Sequence, residues 1–444
     1  MPQASTIFAL SSAPGRSALA VFRVSGPAAG EAIDRMAGPR APPRRAALRN
    51  IRHPETGELL DQGLVLWFAG PHSETGEDMA EFHVHGGRAV TLAMLRALAA
   101  IPGARLAEPG EFARRAFENG KIDLTQAEAI ADLVDAETQA QARQALRQAG
   151  GSLARLYDQW RAQLIEALAL SEAAIDFSDE GDVSDQACNR ARAIVVTLAE
   201  ALRQHLDDGR RGEILREGFH VVIAGPPNVG KSSLLNALAR RDAAIVSDEA
   251  GTTRDVIEVK LDLGGLPVVL SDTAGIRAAE GKVEREGIRR TIARAGAADL
   301  VLWMMDAADP QPDLPADLAA QGGHTLRVLN KTDLMRARPD LRPGWLGLSL
   351  RTGDGLAELV RVIEGEARSR IGIDEAPVIT QARHRQQLGI CLDTLEAYLA
   401  GSPDDMELRA EDLRRAGTAL GRITGRVDVE DVLDQVFARF CIGK

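Results

Sequence analysis

The sequence predicts a multidomain protein of the α/β plus α class, with a doubly wound parallel-sheet block inserted into a helical domain. Three observations predict it. Residues 1 to about 120 alternate short apolar runs with helical stretches, the pattern of a mixed α/β domain. Residues 123–208 are rich in Ala, Leu, Gln and Glu, with almost no glycine outside 150–151 and 181, and the same texture returns from about 377. Between those stretches, apolar strand candidates alternate with helices. The boundaries that follow are 1–120 for the N-terminal domain, 121–212 and 377–444 for the two halves of the helical domain, and 213–376 for the insertion.

Each element has a local reason. "ALAVFRVSG" (18–26), "GLVLWFAG" (63–70) and "AEFHVHGG" (80–87) are short apolar runs that stop at glycine and read as strands, whereas "RAVTLAMLRALAAI" (88–101) reads as a helix. In "LARLYDQWRAQLIEALAL", Leu153, Leu156, Trp160, Leu164 and Leu168 recur at three- and four-residue steps, which is one face of a helix. The insertion offers the strands "FHVVIAG" (219–225), "LPVVLSD" (266–272), "ADLVLWMMD" (298–306) and "HTLRVLN" (324–330). Near the C-terminus, Val429, Val432, Leu433, Val436, Phe437 and Phe440 form one stripe, with Asp428 as the N-cap and Cys441 at the helix end.

Of 444 residues, 45% are hydrophobic and 26% charged, an ordinary balance for two or three globular domains. The net charge of −11 argues against a surface that coats nucleic acid, and leaves room only for local basic patches. "GPRAPPRRAALRNIRH" (38–53) carries Arg40, Arg44, Arg45, Arg49 and Arg52 without an acid, and reads as a solvated Pro-rich loop. Cys188, Cys391 and Cys441 are far apart and form no C-x-x-C pair. That excludes a disulfide framework or cysteine zinc site and fits a reducing, cytoplasmic setting. No secretory leader or run of membrane-spanning length is expected. His83 and His85 share a strand face without a third ligand, so packing or a polar pocket is expected there rather than a metal. Cys441 lies in "FCIGK", which fails the prenylation pattern at Gly443 and Lys444. It is either inert or a thiol with chemistry.

The insertion carries the clearest chemistry. "GPPNVGKS" (225–232) matches G-x-x-x-x-G-K-[ST], follows a strand and opens a helix. Its glycines let backbone amides turn toward an anion, and the helix N-terminus adds partial positive charge. Lys231 can reach the β- and γ-phosphates and Ser232 can ligate Mg²⁺. "DTAG" (272–275) puts Asp272 on the Mg²⁺ side, and "GTTRD" (251–255) supplies a switch threonine. "NKTD" (330–333) ends a strand: Asp333 can accept from the N1–H and 2-amino group of guanine, while Asn330 and Lys331 brace base and loop. "SLRTGDG" from Ser349 fits the last base-contacting loop. Five such elements in order imply a guanine-nucleotide hydrolase, since an ATPase would not need the Asp333 carboxylate. The residue after "DTAG" is Ile276, which cannot orient an attacking water as a Ras-type glutamine does; Glu280, Glu284 and Glu286 are the acids just downstream.

These motifs, together with "VERE", the final "CIGK", and the N-terminal stretches "GEDMAEFHVHGG", "PGEFARRAFENGKIDLTQAEAIADLVDA" and "EAAIDF", resemble the MnmE (TrmE) family of tRNA modification GTPases over the whole chain. The resemblance implies a folate-type N-terminal domain that also forms a homodimer, a helical domain, and an inserted Ras-like G domain. It implies a K⁺-assisted GTPase in a hetero-oligomer with an FAD-dependent partner of the MnmG type. The pair adds an aminomethyl or carboxymethylaminomethyl group to C5 of the tRNA wobble uridine. The one-carbon unit comes from a reduced folate of the 5-formyl- or methylene-tetrahydrofolate type.

Matched motif by motif, the resemblance puts GTP contacts on Asn228, Val229, Gly230, Lys231, Ser232 and Ser233. It adds Ser247, Asp248, Glu249, Ala250, Gly251, Thr252 and Thr253, then Asp272, Thr273, Ala274 and Gly275. Asn330, Lys331, Asp333, Ser349, Leu350 and Arg351 complete the set, Leu350 through its backbone because "SLR" departs from the usual "SAR". Mg²⁺ falls to Ser232 and Thr253, and K⁺ to Asn228, Ser247, Glu249 and Thr252, with Glu249 serving through its carbonyl. Glu284 takes the place of the water-orienting acid, and Cys441 is the second catalytic candidate. Folate contacts fall on Arg23, Glu81, Lys121 and Lys444. The alternative is a GTP-dependent switch that binds RNA or the ribosome and modifies nothing. Such a protein should carry a basic appendage, and this chain is acidic.

Overall fold

The computed structural model describes residues 5–176, 181–240, 245, 258–272, 298–309, 324–335, 345–372, 377–402, 405–427 and 430–443. The chain forms two compact units. The first comprises Met1–Ala131, Gln148–Asp158 and Leu420–Lys444; the second comprises Asp132–Arg147 and Gln159–Ala419.

The first unit is built on strands β1 (Thr6–Leu10), β2 (Ser17–Ser25), β3 (Ala47–Arg52), β4 (Leu59–Phe68), β5 (Met79–Gly86) and β6 (Ala104–Leu106), in the order β3-β4-β5-β2-β1-β6. Neighbours are antiparallel except β1 and β6. Alternation along β2 decides the two faces. Ala20, Phe22 and Val24 join Ile33 and Met36 of helix α1 (Ala29–Ala37) and Met94 and Leu98 of α2 (Arg88–Ala99) in one core. On the other face, Ile7, Ala9 and Met79 meet Phe112 of α3 (Glu111–Glu118). Arg23 and Glu81 are register partners between β2 and β5.

Two readings of this region need correction. The basic stretch 38–53 is not loop throughout, because Ala47–Arg52 forms the edge strand β3. Only Ile51 of that strand is buried, and Ala47, Leu48 and Ile51 do not alternate regularly with the polar residues, so the strand lacks a clear period-two signal. Arg49 and Arg52 keep the edge charged, a common guard against pairing with another chain. The C-terminal helix is also shorter than its stripe, running from Glu430 to Phe437. Asp428 and Val429 lie outside the described residues.

Beyond that helix the tail is pinned rather than helical. Leu433, Val436, Phe437 and Phe440 bury against Ala113, Leu124 and Ala127. Gly110 has φ +69°, and a Cβ there would sit 2.4 Å from the Phe437 carbonyl oxygen, so glycine is required for the helix to approach. Ile442 forms an antiparallel bridge with Pro109. The Ser11 hydroxyl donates to the Gly443 carbonyl at 2.9 Å.

In the second unit the strands are β7 (Phe219–Ala224), β8 (Glu258–Leu263), β9 (Leu266–Asp272), β10 (Leu300–Asp306), β11 (His324–Asn330) and β12 (Trp345–Gly347), ordered β12-β11-β10-β7-β9-β8. All pairs are parallel except the β8–β9 hairpin. Val221, Ile223, Leu302, Met304 and Val328 fill one core, and Ala224, Val301, Trp303, Met305 and Leu329 the other. Burial on both faces explains why these strands read as continuous apolar runs. The fold class is thus the predicted multidomain α/β plus α, with a doubly wound sheet.

Helices 181–206 and 382–400 pack side by side, so segments on either side of the sheet in sequence meet in space. Arg385 clamps them, with Nη2 2.6 Å from Asp208, Nε 3.0 Å from Glu213, and Nη1 donating to the Leu206 carbonyl. Among the described residues, no helix is long and apolar enough to cross a membrane.

Phe437→Ala should cost the first unit about 3–5 kcal/mol, the usual range for emptying an aromatic site in a core. The check is amide hydrogen exchange, with protection expected to fall across 430–443. Unchanged protection would mean that the aromatic cluster does not hold the tail.

Candidate functional site

The second unit brings the sequence-predicted phosphate and base motifs to the C-terminal ends of its parallel strands, where ligands bind in such sheets. β7 stops at Ala224 and the chain enters α4 (Lys231–Ala239) through residues 225–230. Gly225 has φ +145°, and a Cβ there would lie 2.2 Å from the Met304 carbonyl oxygen of β10. Gly230 has φ +102°, and its Cβ would lie 2.5 Å from the Asn330 side-chain nitrogen. Asn228 takes φ +61°, a conformation uncommon for a residue with a side chain. This turn places the start of α4 at the loop's mouth, and a helix N-terminus carries partial positive charge that favours an anion.

Lys231 is buried, and its ammonium donates to the carbonyls of Gly225 at 2.9 Å and Pro226 at 2.8 Å. The charge therefore lies across the loop. Ser232 and Ser233 are exposed on the first turn of α4. Asp272 closes β9, and its backbone is the register partner of Ile223, two residues before Gly225.

Asn330 joins the 225–230 loop to the 349–351 loop. It is buried, its Nδ2 donates to the Val229 carbonyl at 2.8 Å, and its Oδ1 accepts from the Leu350 amide at 3.3 Å. Next to it Lys331 takes φ +66°, and its Nζ lies 2.7 Å from Asp306 Oδ2 at the end of β10. The hydrogen bond from Lys331 holds the Asp306 carboxyl below the usual carboxylate range. Asp333 sits in the short 3₁₀ turn Thr332–Leu334. Its Oδ1 accepts from the Ser349 hydroxyl at 2.7 Å, and its Oδ2 is 3.7 Å from the Arg351 guanidinium. Ser349 is buried, so the hydroxyl fixes the carboxylate's direction.

These groups surround one cavity of about 490 Å³. Asn228, Gly230 and Ser233 line one side, and Asn330, Lys331, Asp333, Leu350 and Arg351 the other. A cavity with anion-binding amides at one end and an oriented carboxylate at the other suits a nucleotide whose base presents adjacent N–H donors. Ser247, Asp248, Glu249, Ala250, Gly251, Thr252, Thr253, Thr273, Ala274, Gly275, Glu284 and Lys444 lie outside the described residues. So does the side chain of Asp272.

The first unit holds a separate polar patch. Arg23 Nε is 3.1 Å from Glu81 Oε1 and its Nη1 is 2.9 Å from Glu74, while His83 Nε2 lies 3.0 Å from Glu81 Oε2. His85 points instead to Asp61, 2.9 Å away. Lys121 does not join the Arg23–Glu81 pair directly: its Nζ donates to the Pro71 carbonyl at 2.8 Å, on the loop that carries Glu74. Asn119 Nδ2 ties the same loop through the Thr75 carbonyl at 2.7 Å. Cys441 is exposed in the tail that Ser11 and Pro109 hold.

Sequence reasoning misses Asp306 and Glu74. The first leaves a signal, since "WMMD" ends an apolar strand on an acid, as "VVLSD" does. The second leaves none, because it sits in a loop of mixed polar residues.

Known proteins share this organisation along the sequence. A family model described as the MnmE helical domain matches residues 124–441, and one described as the GTP-binding protein TrmE N-terminus matches residues 6–121. A tRNA modification GTPase MnmE of Parvibaculum lavamentivorans is 54% identical over 443 residues, covering 99% of this chain and 100% of that protein. The protein of the same name in Rhodopseudomonas palustris is 50% identical over 451 residues, covering both chains completely. Among solved structures, an Aquifex aeolicus Era variant bound to GDP·AlF4⁻ is 24% identical, over 39% of this chain and 66% of that one, with a TM-score of 0.27. The G domain of the T. maritima FeoB iron transporter is 23% identical, over 34% and 98%, with a TM-score of 0.27. Identity of half or more along the full length, with family models matching residues 6–121 and 124–441, assigns the chain to the MnmE family of tRNA modification GTPases.

Proposed function

We propose that this protein hydrolyses GTP with Mg²⁺ and K⁺ and couples that cycle to modification of the tRNA wobble uridine. In this reading it works as a cytoplasmic homodimer with an FAD-dependent partner of the MnmG type. It adds an aminomethyl or carboxymethylaminomethyl group at C5, with the one-carbon unit drawn from a reduced folate. The domains would run 1–120, 121–212 with 377–444, and 213–376. The observation that carries the proposal is the cavity in which Asn228 and Gly230 face Asn330 and Asp333.

Each residue has a defined task. The amides of the 225–232 loop and Lys231 neutralise phosphate charge, and Asp333, aimed by Ser349, accepts the N–H groups of guanine. The hydroxyls of Ser232 and Thr253 would hold Mg²⁺, with Asp272 behind them, and hard oxygen donors of this kind suit that ion. Asn228, raised on its left-handed turn, would hold K⁺ with Ser247, Glu249 and Thr252. A cation held by these residues would supply positive charge to offset the negative charge that grows during phosphoryl transfer. Glu284 would orient the attacking water that Ile276 cannot.

In the first unit, Glu81 offers an acceptor and Arg23 a planar donor fork, a pair suited to the ring donors and acceptors of a pterin. Lys121 supports that patch through the 71–77 loop. Lys444 is proposed to reach the folate as well. Cys441 is proposed as nucleophile or acid in the one-carbon step, where an exposed thiol on a fixed tail can meet a substrate.

Asp333→Asn should weaken GTP by about 10- to 100-fold, the value of a charge-assisted hydrogen bond, and shift preference to xanthosine triphosphate. Unchanged GTP affinity by titration would remove the base-reading role.

Turnover in K⁺ should exceed that in Na⁺ at equal ionic strength by on the order of 10²-fold, and Glu284→Ala should slow it similarly while nucleotide still binds. Equal rates in the two salts across a range of protein concentrations would refute the cation's role.

Cys441→Ser should abolish the modified wobble nucleoside in tRNA from cells that rely on the variant, with an unchanged melting temperature. Mass spectrometry reads the outcome. A normal level of modified nucleoside would leave the tail a structural role only, and its absence from wild-type cells' tRNA would favour a switch without modification chemistry.

A further inference from the structure

The second unit contains another cavity, of about 400 Å³, which shares no lining residue with the nucleotide cavity. Its wall comes from the helix spanning 139–149, the first turn of the helix at 211–217, the β8–β9 turn, and the end of the helix at 356–371. Arg143, Arg147, Arg211 and Arg368 all line it, and no lining residue is acidic. In a chain of net charge −11, four guanidiniums on one small concavity are a local reversal of sign. Arg368 is paired with Glu364 at 2.8 Å. Among the described residues, Arg143, Arg147 and Arg211 have no carboxylate partner, and all four arginines are exposed.

An independent observation points the same way. Gln144 also lines the cavity, is only 4% exposed, and its Nε2 has no hydrogen-bond partner. Leaving a buried donor unpaired costs about 1–3 kcal/mol, so such a donor inside an arginine-lined wall calls for an acceptor arriving from outside. The β8–β9 turn leaves room for it. Gly265 has φ +85°, and a Cβ there would meet nothing within 4 Å.

We propose that this cavity binds the phosphate backbone of RNA, with one phosphate against the Gln144 amide and its neighbours on the arginines at the rim. Planar guanidinium forks match phosphate oxygens in pairs, which ammonium groups do not. Arg143 and Arg147 stand one helical turn apart, about 6 Å, and so present two forks along one line. A backbone of linked phosphates can set one phosphate on each. That the RNA is tRNA rests on the proposed function.

The test is filter binding of an unmodified tRNA transcript to the full chain saturated with GDP and Mg²⁺, between about 50 and 200 mM salt. The Arg143→Gln/Arg147→Gln pair should weaken binding and reduce the slope of log K against log salt by about 2, one for each phosphate that is no longer neutralised. The matching Lys pair should keep the slope. Gln144→Leu should weaken binding with the slope unchanged, because its bond to phosphate carries no net charge, and should not lower the melting temperature. Identical slopes for wild type and the Gln pair would overturn the proposal and leave the proposed function standing. Inorganic pyrophosphate that raises the melting temperature through these arginines, with tRNA binding unaffected, would overturn it in favour of a small phosphate ester. A wild-type chain that does not bind tRNA would overturn both.

Discussion

Asn330 joins three segments that are far apart in sequence. Its amide spans from the phosphate loop at Val229 to the 349–351 loop at Leu350, and it is almost entirely buried. A buried amide bonded on both sides is costly to disturb, since either loss strands a polar group. Everything at the base end is placed relative to it. Lys331, the next residue, turns left-handed toward Asp306, and Asp333 reaches Ser349, whose amide lies beside that of Leu350. The glycine at 230 belongs to the same constraint, because any larger residue would occupy the space of the Asn330 side chain. The 225–230 loop and the 349–351 loop are therefore mechanically one object, set by a single hydrogen-bonded joint.

The first unit relies on a different device. Arg115 pairs with Glu77 at 3.0 Å and Glu111 at 3.0 Å, and Ser25 donates to Glu77 at 2.7 Å. These bonds fasten the loop before β5 to the sheet and to α3. Burial raises the Glu111 pKa, but bonds from Arg105, the Glu108 amide and Arg115 outweigh it, so its carboxyl titrates below the ordinary value. The loop so fastened carries Glu74 to Arg23 and accepts Lys121 at Pro71. Arg23 and Lys121, two of the residues matched to a folate role, thus share a common support, although Lys121 acts on the loop and not on the Arg23–Glu81 pair.

How much of this is legible in the sequence varies with the physics behind each signal. The phosphate loop is fully legible because its glycines are demanded by backbone geometry, at Gly225 against Met304 and at Gly230 against Asn330. Strands buried on both faces, such as β10, are legible as unbroken apolar runs. β3 is not, because an edge strand needs few apolar residues and its arginines read as a loop. β1, β6, β8 and β12 also escape a reading of the sequence, two of them being only three residues long. The arginine cavity leaves no trace, since its four cations come from three separate helices and acquire meaning only when folded. The sequence leaves His83 to packing or a polar pocket, and its bond to Glu81 is of the second kind.

The way the first unit is assembled has a consequence for biosynthesis. Its sheet is made from the first 131 residues, but the helix and tail that cover α3 come from the segment after residue 420. Between Ala131 and Leu420, only 148–158 belong to the same unit. At roughly 5–20 residues per second, the ribosome needs about 15–60 s to cross that gap. During that time Leu124, Ala127 and Ala113 lack their aromatic cover, and the bond from Ser11 to Gly443 cannot form. The tail bearing Cys441 is thus made after every residue that lines the nucleotide cavity, so a nascent chain can possess that cavity while the Cys441 thiol is still missing.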